Sequence, residues 1–107
     1  MQTNDVVSQY VYFTQQSGGK TRPLLVVATN SDKYLVYKIT SKYENKPEAI
    51  KDRYFPIEDW EAAGLNKPSY VDTYSGTMWL PTARMHKKIG HLTDKDILRF
   101  QRFLNQI

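Results

Sequence analysis

The chain of 107 residues contains no cysteine, which excludes a disulfide framework and a zinc site built on thiolates. Its two histidines, His86 and His91, are five residues apart and form no H-E-x-x-H pattern. The glycine-rich phosphate loop, the G-x-S-x-G nucleophile elbow and the dinucleotide-binding glycines are also missing. Histidine and carboxylate side chains can still come together in a folded chain to bind a metal, but no sequence pattern indicates such a site. We therefore expect no metal and no cofactor.

Long hydrophobic runs are absent as well. The longest uninterrupted apolar stretch covers residues 24–28, whereas a helix that spans a bilayer needs about 20 apolar residues. The first residues carry neither the basic segment nor the apolar segment of a secretory signal. We therefore expect a cytoplasmic protein with no membrane segment.

The length and composition are those of one globular domain. Hydrophobic residues make up 40% of the chain and aromatic residues 13%, with eight tyrosines, which is enough apolar surface for a modest core. No repeat, low-complexity tract or linker divides the chain. We expect a single domain over residues 1–107.

The net charge of +4 is concentrated in one third of the chain. Residues 20–53 hold eight Lys or Arg against four Asp or Glu, whereas the remaining residues hold seven of each. A local surplus of this size suits a polyanion such as RNA. Lysines that keep strand edges soluble would produce the same surplus, so composition leaves both interpretations open.

The β-branched and aromatic residues predict a series of short strands. The expected ranges are 6–13, 23–28, 34–40, 53–57, 69–73, 77–80 and 83–89. Pro23 stands at the first position of its strand, where a missing N–H is tolerated. The turn residues at 30–33 favour a hairpin between the second and third strands, and the polar residues 42–52 predict a loop.

Two helical segments are expected beside the strands. Residues 58–63 are predicted to form one or two helical turns that end at Gly64. Near the C-terminus Thr93 is the predicted N-cap, with Asp96 three positions on as a carboxylate variant of the capping box. One apolar face of that helix is formed by Ile97, Phe100, Leu104 and Ile107. Because strands and helices do not alternate, we predict a mainly β antiparallel barrel with a C-terminal α-helix packed on it and a short internal helix.

A candidate site follows from the predicted hairpin. Arg22 comes at the start of one strand, and Thr40 and Ser41 close the next strand. Paired strands would bring these residues to the same end of the sheet, where a guanidinium beside a hydroxyl is suited to holding a phosphate. The alternative is a surface arginine that is simply solvated.

At these residues the chain resembles the MazF/PemK toxins of type II toxin–antitoxin systems, and their PemK-like members in particular. Five motifs occur in the family's order over about 100 residues. They are Asn-Asp-Val-Val at 4–7, Lys-Thr-Arg-Pro with an apolar strand at 20–27, Thr-Ser at 40–41, a tryptophan turn with Lys-Pro-Ser-Tyr-Val at 60–71, and Lys-Ile-Gly-His-Leu-Thr at 88–93.

The resemblance implies an SH3-like antiparallel β-barrel that forms a homodimer. It also implies a metal-independent endoribonuclease that cleaves single-stranded RNA, including mRNA, and a cognate antitoxin that covers the RNA groove. In such enzymes the 2′-hydroxyl of the RNA attacks the adjacent phosphorus, which leaves a 2′,3′-cyclic phosphate and a free 5′-hydroxyl. The reaction needs charge stabilisation on the phosphate and proton transfer at two oxygens.

The resemblance also assigns roles to individual residues. Arg22 would stabilise the phosphate and protonate the leaving oxygen, while Thr40 would donate a hydrogen bond to the phosphate with Ser41 beside it. The expected RNA contacts come from the polar loop and from basic residues near it, namely Gln16, Lys20, Lys38 and Lys42.

Two positions depart from the family pattern. Gln16 stands where some members have a histidine, and Asp72-Thr73 stands where many PemK-like sequences have Arg-Thr. Asp72 is therefore a candidate catalytic base or a residue that shapes a turn. Two other functions stay open: a non-enzymatic, protein-binding toxin of the CcdB type, whose C-terminal Trp-Gly-Ile is not found here, and a catalytically inactive RNA-binding module.

Overall fold

The computed structural model describes residues 2–12, 19–82 and 86–107. These residues form six strands and two helices, which confirms the mainly β prediction. The elements are β1 Asp5–Tyr12, β2 Gly19–Thr29, β3 Lys33–Thr40, α1 Glu48–Lys51, β4 Tyr54–Pro56, β5 Tyr70–Pro81, β6 His86–His91 and α2 Asp94–Asn105. No helix in the described part of the chain is long and apolar enough to cross a membrane.

All six strands belong to one antiparallel sheet in the order β4-β5-β3-β2-β1-β6. Among the described residues no ladder joins the edge strands β4 and β6, so the sheet is open in its hydrogen bonding. The turn after β4 nevertheless abuts β6: a Cβ added to Gly64 would overlap the carbonyl of Ile89, and one on Gly90 would overlap that of Ala63. Gly64 also has φ +89°, which favours glycine. The sheet therefore curls until the turn beyond one edge strand touches the other edge.

The main core lies on the face of the sheet that α2 covers. Phe100 and Phe103 of α2 pack against Phe55 of β4 with ring centroids 5.0 and 5.4 Å apart. A fully buried side chain of this size contributes about 1.5–3 kcal/mol. The buried members of this cluster are Val6, Leu25, Ile39, Phe55, Ile57, Ala63, Leu65, Val71, Leu92 and Phe100. The predicted stripe of α2 is confirmed except at Ile107, which lies beyond the end of the helix and is 50% exposed.

A smaller buried cluster lies on the opposite face. Val7, Leu24, Val26 and Val36 form it, and Tyr34 and Leu80 pack against it. Side chains alternate between the faces of a sheet. Arg22 is therefore on the face of Leu24, and Lys38 and Thr40 are on the face of Val36. Three of the predicted site residues thus share the face that α2 does not cover.

Pro23 lies inside β2 and not at its first position, so that prediction is wrong. The β1–β2 ladder runs past it, pairing Ser8 with Pro23 and Gln9 with Arg22. The β2–β3 ladder instead ends at the pair Leu24–Lys38. A proline has no N–H to donate to a ladder, and the pairing with β3 stops at the residue next to it.

The internal helix is also displaced from its predicted position. Residues 58–64 form turns, and the short helix α1 lies within the predicted loop 42–52.

The backbone N–H groups of Glu58 and Asp59 donate to the carboxylate of Asp96 at 3.3 and 2.8 Å. Thr93 caps α2 as predicted by accepting from the Asp96 N–H at 3.4 Å. The carboxylate of Asp96 therefore anchors the turn after β4, and does not complete a capping box.

The two strands expected at 69–73 and 77–80 form one strand, β5. Both halves of β5 pair with β3, but the register jumps from Lys38–Asp72 to Tyr37–Thr77. The extra residues 73–76 bulge between the two halves, and Gly76 has φ +78° there. Two parts of the predicted strands lie outside the described residues: Phe13, which ends the first, and residues 83–85, which begin the last.

A buried ion pair joins the start of β1 to β6. Asp5 is 1% exposed, and its carboxylate accepts from the Gln2 N–H and His91 Nδ1, both at 2.7 Å. Lys88 Nζ lies 3.3 Å from the same carboxylate. Burial by itself raises the pKa of Asp5, but the contacts with His91, Gln2 and Lys88 together hold it below its ordinary value. His91 is therefore a structural residue.

We expect Asp5→Asn to lower the free energy of unfolding by about 1–3 kcal/mol near pH 5, because a buried charge-assisted network is lost. The folded pKa of Asp5 lies below the unfolded value of 3.8, so its carboxylate stabilises the fold above that value. This contribution is lost as the pH falls through the folded pKa. Urea unfolding at about pH 5 and about pH 3 measures this contribution. The free energy of unfolding should fall less between the two pH values for Asp5→Asn than for the parent.

The matched control is Asp32→Asn, which alters an exposed carboxylate. It should keep the parent's dependence on pH. The assignment of Asp5 is contradicted if Asp5→Asn keeps that dependence as well.

Candidate functional site

A groove of about 640 Å³ opens where the β2–β3 ladder has ended. We name it the basic groove. Its polar lining comes from β1, the ends of β2 and β3, the segment before β5, and β6: Ser8, Arg22, Thr40, Ser41, Asn66, Lys67, Ser69 and Lys87. Three of the predicted site residues, Arg22, Thr40 and Ser41, are therefore brought together.

A second pocket of about 450 Å³, named here the side pocket, adjoins the basic groove. Its polar lining is Gln9, Arg22, Lys38, Thr40, Lys46 and Asp72. Arg22, Pro23, Ile39 and Thr40 line both cavities. The predicted pair of Arg22 and Thr40 thus stands at the junction between them.

The strand register explains this meeting. Leu24 pairs with Lys38, and continuing the antiparallel register by two residues sets Arg22 opposite Thr40. On its other side Arg22 pairs with Gln9 of β1, and Thr40 pairs with Tyr70 of β5. The backbone at both residues is therefore paired on its outer side, while the ladder between β2 and β3 has already ended.

The Thr40 hydroxyl is oriented by the chain that follows it. Its Oγ1 accepts from the Lys42 N–H at 3.0 Å, which leaves the hydroxyl hydrogen available to donate. Tyr43 stacks on Tyr70 with ring centroids 4.4 Å apart and planes 9° apart. The segment after β3 is therefore held against β5, and half-buried Ser41 lies between two anchored residues.

The basic groove is positively charged. Arg22, Lys67 and Lys87 line it, and none of its described lining residues is a carboxylate. Within the described part of the chain none of these three has an ion-pair partner, whereas Lys88, Lys95 and Arg99 each lie within 4.0 Å of a carboxylate. Unpaired cations around one concave surface attract an anionic ligand.

The four predicted RNA contacts have different positions. Lys38 lines the side pocket, while Lys42 is exposed and lines neither cavity. Lys20 lies in β2, where it pairs with Val11 of β1. Gln16 lies outside the described residues.

Asp72 lines the side pocket together with Arg22 and Thr40, and it is 7% exposed. Its Oδ1 accepts from the Ser75 N–H at 2.9 Å and its Oδ2 from the Ser75 hydroxyl at 2.8 Å. Both oxygens thus already hold the start of the bulge in β5, as aspartates in turns do. This geometry matches the turn-shaping interpretation of the residue.

Sequence reasoning missed Lys67, Lys87 and Gln9. Lys87 reaches the groove because it pairs with Ser8 across the β1–β6 ladder, a contact that no local pattern encodes. Lys67 belongs to the Lys-Pro-Ser-Tyr-Val motif, which could have flagged it. The described residues contain no group of three or more His, Cys, Asp or Glu side chains that could hold a metal ion.

The chain matches no protein-family model, and no curated protein is similar enough to count as a relative.

We expect a short single-stranded RNA to bind the protein with an affinity that falls as salt rises, because bound phosphates release counterions. Replacing Lys67 or Lys87 by Gln should each reduce the slope of log Kd against log salt by about one phosphate contact. Fluorescence anisotropy over a salt series measures this slope.

The matched control is Lys95→Gln on α2, since Lys95 lies 3.2 Å from Asp59 and outside both cavities. It should leave the slope unchanged. Slopes that do not differ among the three variants would rule out the basic groove as the RNA-binding surface.

Proposed function

We propose that the protein is an endoribonuclease that cleaves single-stranded RNA without a metal ion. The observation that carries the proposal is the position of Arg22 and Thr40 at the junction of two cavities, in a groove whose other charged lining residues are Lys67 and Lys87. A cationic groove with hydroxyl donors and no carboxylate is suited to a crowded phosphate. The five family-like motifs in the sequence support the same function.

The proposed reaction uses the RNA's own nucleophile. The bond from the 2′-oxygen to phosphorus forms, the bond from phosphorus to the 5′-oxygen breaks, and the products are a 2′,3′-cyclic phosphate and a 5′-hydroxyl. The proton of the 2′-hydroxyl passes to solvent water, and the 5′-oxygen takes a proton from Arg22, which regains one from solvent. Negative charge grows on the non-bridging oxygens between these events, and this charge is what the groove stabilises.

Arg22 and Thr40 have complementary tasks in this scheme. The planar guanidinium of Arg22 donates two parallel hydrogen bonds to the phosphate, and Arg22 is also the proposed proton donor to the leaving oxygen. The Thr40 hydroxyl has its hydrogen free because Oγ1 already accepts from Lys42, and it donates to the same phosphate. Ser41 supplies a second hydroxyl at the rim of the groove.

The finer fold and the partners belong to the same proposal. We take the curled sheet as an SH3-like barrel, which is supported by the contact of Gly64 with β6. We also propose that two copies pair through the exposed part of β5, where Tyr74 is 56%, Met78 36% and Trp79 50% exposed. Apolar side chains exposed in one stretch are typical of an interaction surface. The antitoxin would cover the basic groove and compete with RNA.

One observation favours a second candidate, an RNA-binding module without catalysis. Asp72 stands where related sequences carry a cation, and its carboxylate is occupied by Ser75. No histidine or carboxylate lines the basic groove among the described residues. The two candidates differ in one outcome: both bind RNA, and only the endoribonuclease cuts it.

We expect the purified protein to cut single-stranded RNA in excess EDTA and to leave duplex RNA intact. Arg22→Ala should nearly abolish cleavage, and Arg22→Lys should recover only part of the rate because an ammonium cannot form the planar two-pronged contact. Thr40→Val should slow cleavage by roughly 10²-fold or more, a typical loss for one donor to a developing charge. Single-turnover rates and melting temperatures measure both effects.

Two matched controls are available in the chain. Arg102→Ala removes an exposed arginine of α2 and Thr29→Val an exposed threonine at the end of β2, and both should cleave at the parental rate. Binding without cleavage by the parent would select the RNA-binding module. Parental rates for folded Arg22→Ala and Thr40→Val would show that the site is elsewhere.

For Asp72 we expect a role in holding the bulge of β5. Asp72→Asn keeps one side-chain acceptor for Ser75, so the cleavage rate at neutral pH should stay within about threefold of the parent while the melting temperature falls slightly. The measurement is the rate of cleavage as a function of pH. A loss of about 100-fold at neutral pH with an unchanged melting temperature would instead identify Asp72 as the general base.

A further inference from the structure

The side pocket contains the buried side-chain amide of Gln9, which lacks a hydrogen-bond partner in the described part of the chain. Gln9 is 8% exposed and lines the pocket, and among the described residues neither atom of its side-chain amide forms a hydrogen bond. Nearly all buried polar side chains in native proteins are hydrogen-bonded, because an unpaired one lowers stability. The unpaired amide of Gln9 therefore indicates that a ligand supplies its hydrogen bonds in this pocket.

The position of Gln9 links it to the proposed cleavage site. Gln9 pairs with Arg22 in the β1–β2 register, so the two side chains are neighbours on one face of the sheet. Both line the side pocket together with Thr40. A group bound against Gln9 therefore lies next to a phosphate held by Arg22.

The pocket has the lining that a planar heterocycle needs. Its volume of about 450 Å³ is in the range of small-molecule sites. Apolar side chains form part of the wall, namely Pro23, Leu24, Ile39 and Met78. Such a wall suits the face of a ring, and Lys38 and Lys46, which also line the pocket, can hold the phosphates that flank the base.

The amide itself distinguishes a base from a phosphate. It offers one donor and one acceptor side by side. A phosphate diester presents acceptors alone, so the Gln9 oxygen would stay unpaired beside it. The edges of unstacked RNA bases present adjacent donors and acceptors, and an amide can pair with such an edge through two hydrogen bonds.

We propose that the side pocket binds the base of a nucleotide that flanks the scissile phosphate, and that Gln9 recognises its hydrogen-bonding edge. The inference rests on the proposed function and adds to it a subsite and a residue that sets the base preference. The nucleotide's phosphate is held at Arg22, and its base enters between Gln9 and the apolar wall.

The test uses short oligodeoxynucleotides that contain a single ribonucleotide, which confines cleavage to one bond. Both bases that flank this bond are varied in all combinations. The parent should discriminate by about tenfold or more between the best and worst base at one of the two positions, as a two-bonded contact does. Gln9→Met, which keeps the shape and removes the hydrogen bonds, should reduce this ratio to below about threefold.

Two further variants separate recognition from structure. Gln9→Glu leaves only acceptors at this position, so the preference should move toward bases whose edge donates an amino group. Gln101→Met makes the same change as Gln9→Met at an exposed position of α2, and it should keep the parental preference. Gln9→Met should not lower the melting temperature, because it removes a buried amide that has no partner.

The outcomes distinguish this inference from the proposed function. Cleavage with no base preference at either position, or with a preference that Gln9→Met retains, contradicts the proposed base subsite. Either result still supports the proposed nuclease activity. If no oligonucleotide is cut, the proposed nuclease fails. Binding of the all-deoxy versions then decides the subsite: an affinity that depends on the base in the parent and not in Gln9→Met supports it, and equal affinities overturn it.

Discussion

The end of the β2–β3 ladder at Pro23 is the constraint on which the site depends. A proline cannot donate a backbone hydrogen bond, and the pairing of the two strands stops at Leu24 and Lys38. Beyond that point, among the residues that the structure describes, β2 pairs with β1 and β3 pairs with β5. The gap between Arg22 and Thr40 therefore has a paired strand on each side, and both residues line the two cavities.

Charged groups serve opposite purposes in different parts of this molecule. At the β1–β6 junction Asp5 is buried among His91, Lys88 and the Gln2 N–H, and at the start of α2 Asp96 accepts two backbone N–H groups. These carboxylates are satisfied and tie elements together. In the basic groove Arg22, Lys67 and Lys87 have no ion-pair partner among the described residues, and in the adjoining side pocket the side-chain amide of Gln9 has no hydrogen bond to them. An unpaired buried amide lowers stability, and exposed cations gathered around one concave surface attract an anion. Together they are the physical basis of the proposed function.

The elements that the sequence predicted well depend on neighbours in the chain. The hairpin of β2 and β3 follows from turn residues at 30–33, where Asn30 Oδ1 accepts from the Lys33 N–H at 2.8 Å. The cap of α2 at Thr93 and the stripe up to Leu104 follow from helical spacing. The meeting of Arg22 and Thr40 followed from the same hairpin, since an antiparallel pair sets the start of one strand beside the end of the other.

The sequence by itself therefore determined the mainly β architecture, the terminal helix and the meeting of Arg22 and Thr40 at one end of the hairpin, because each depends on local periodicity or on one short turn. Only the tertiary structure decided that Lys87 and Gln9 join them, since the β1–β6 ladder sets residue 87 beside residue 8 and the β1–β2 ladder sets residue 9 beside residue 22. It likewise decided that Asp96 binds the turn after β4 and that Asp72 binds Ser75. The partner of a carboxylate depends on which backbone N–H groups the folded chain leaves within reach, and a linear pattern does not contain that distance.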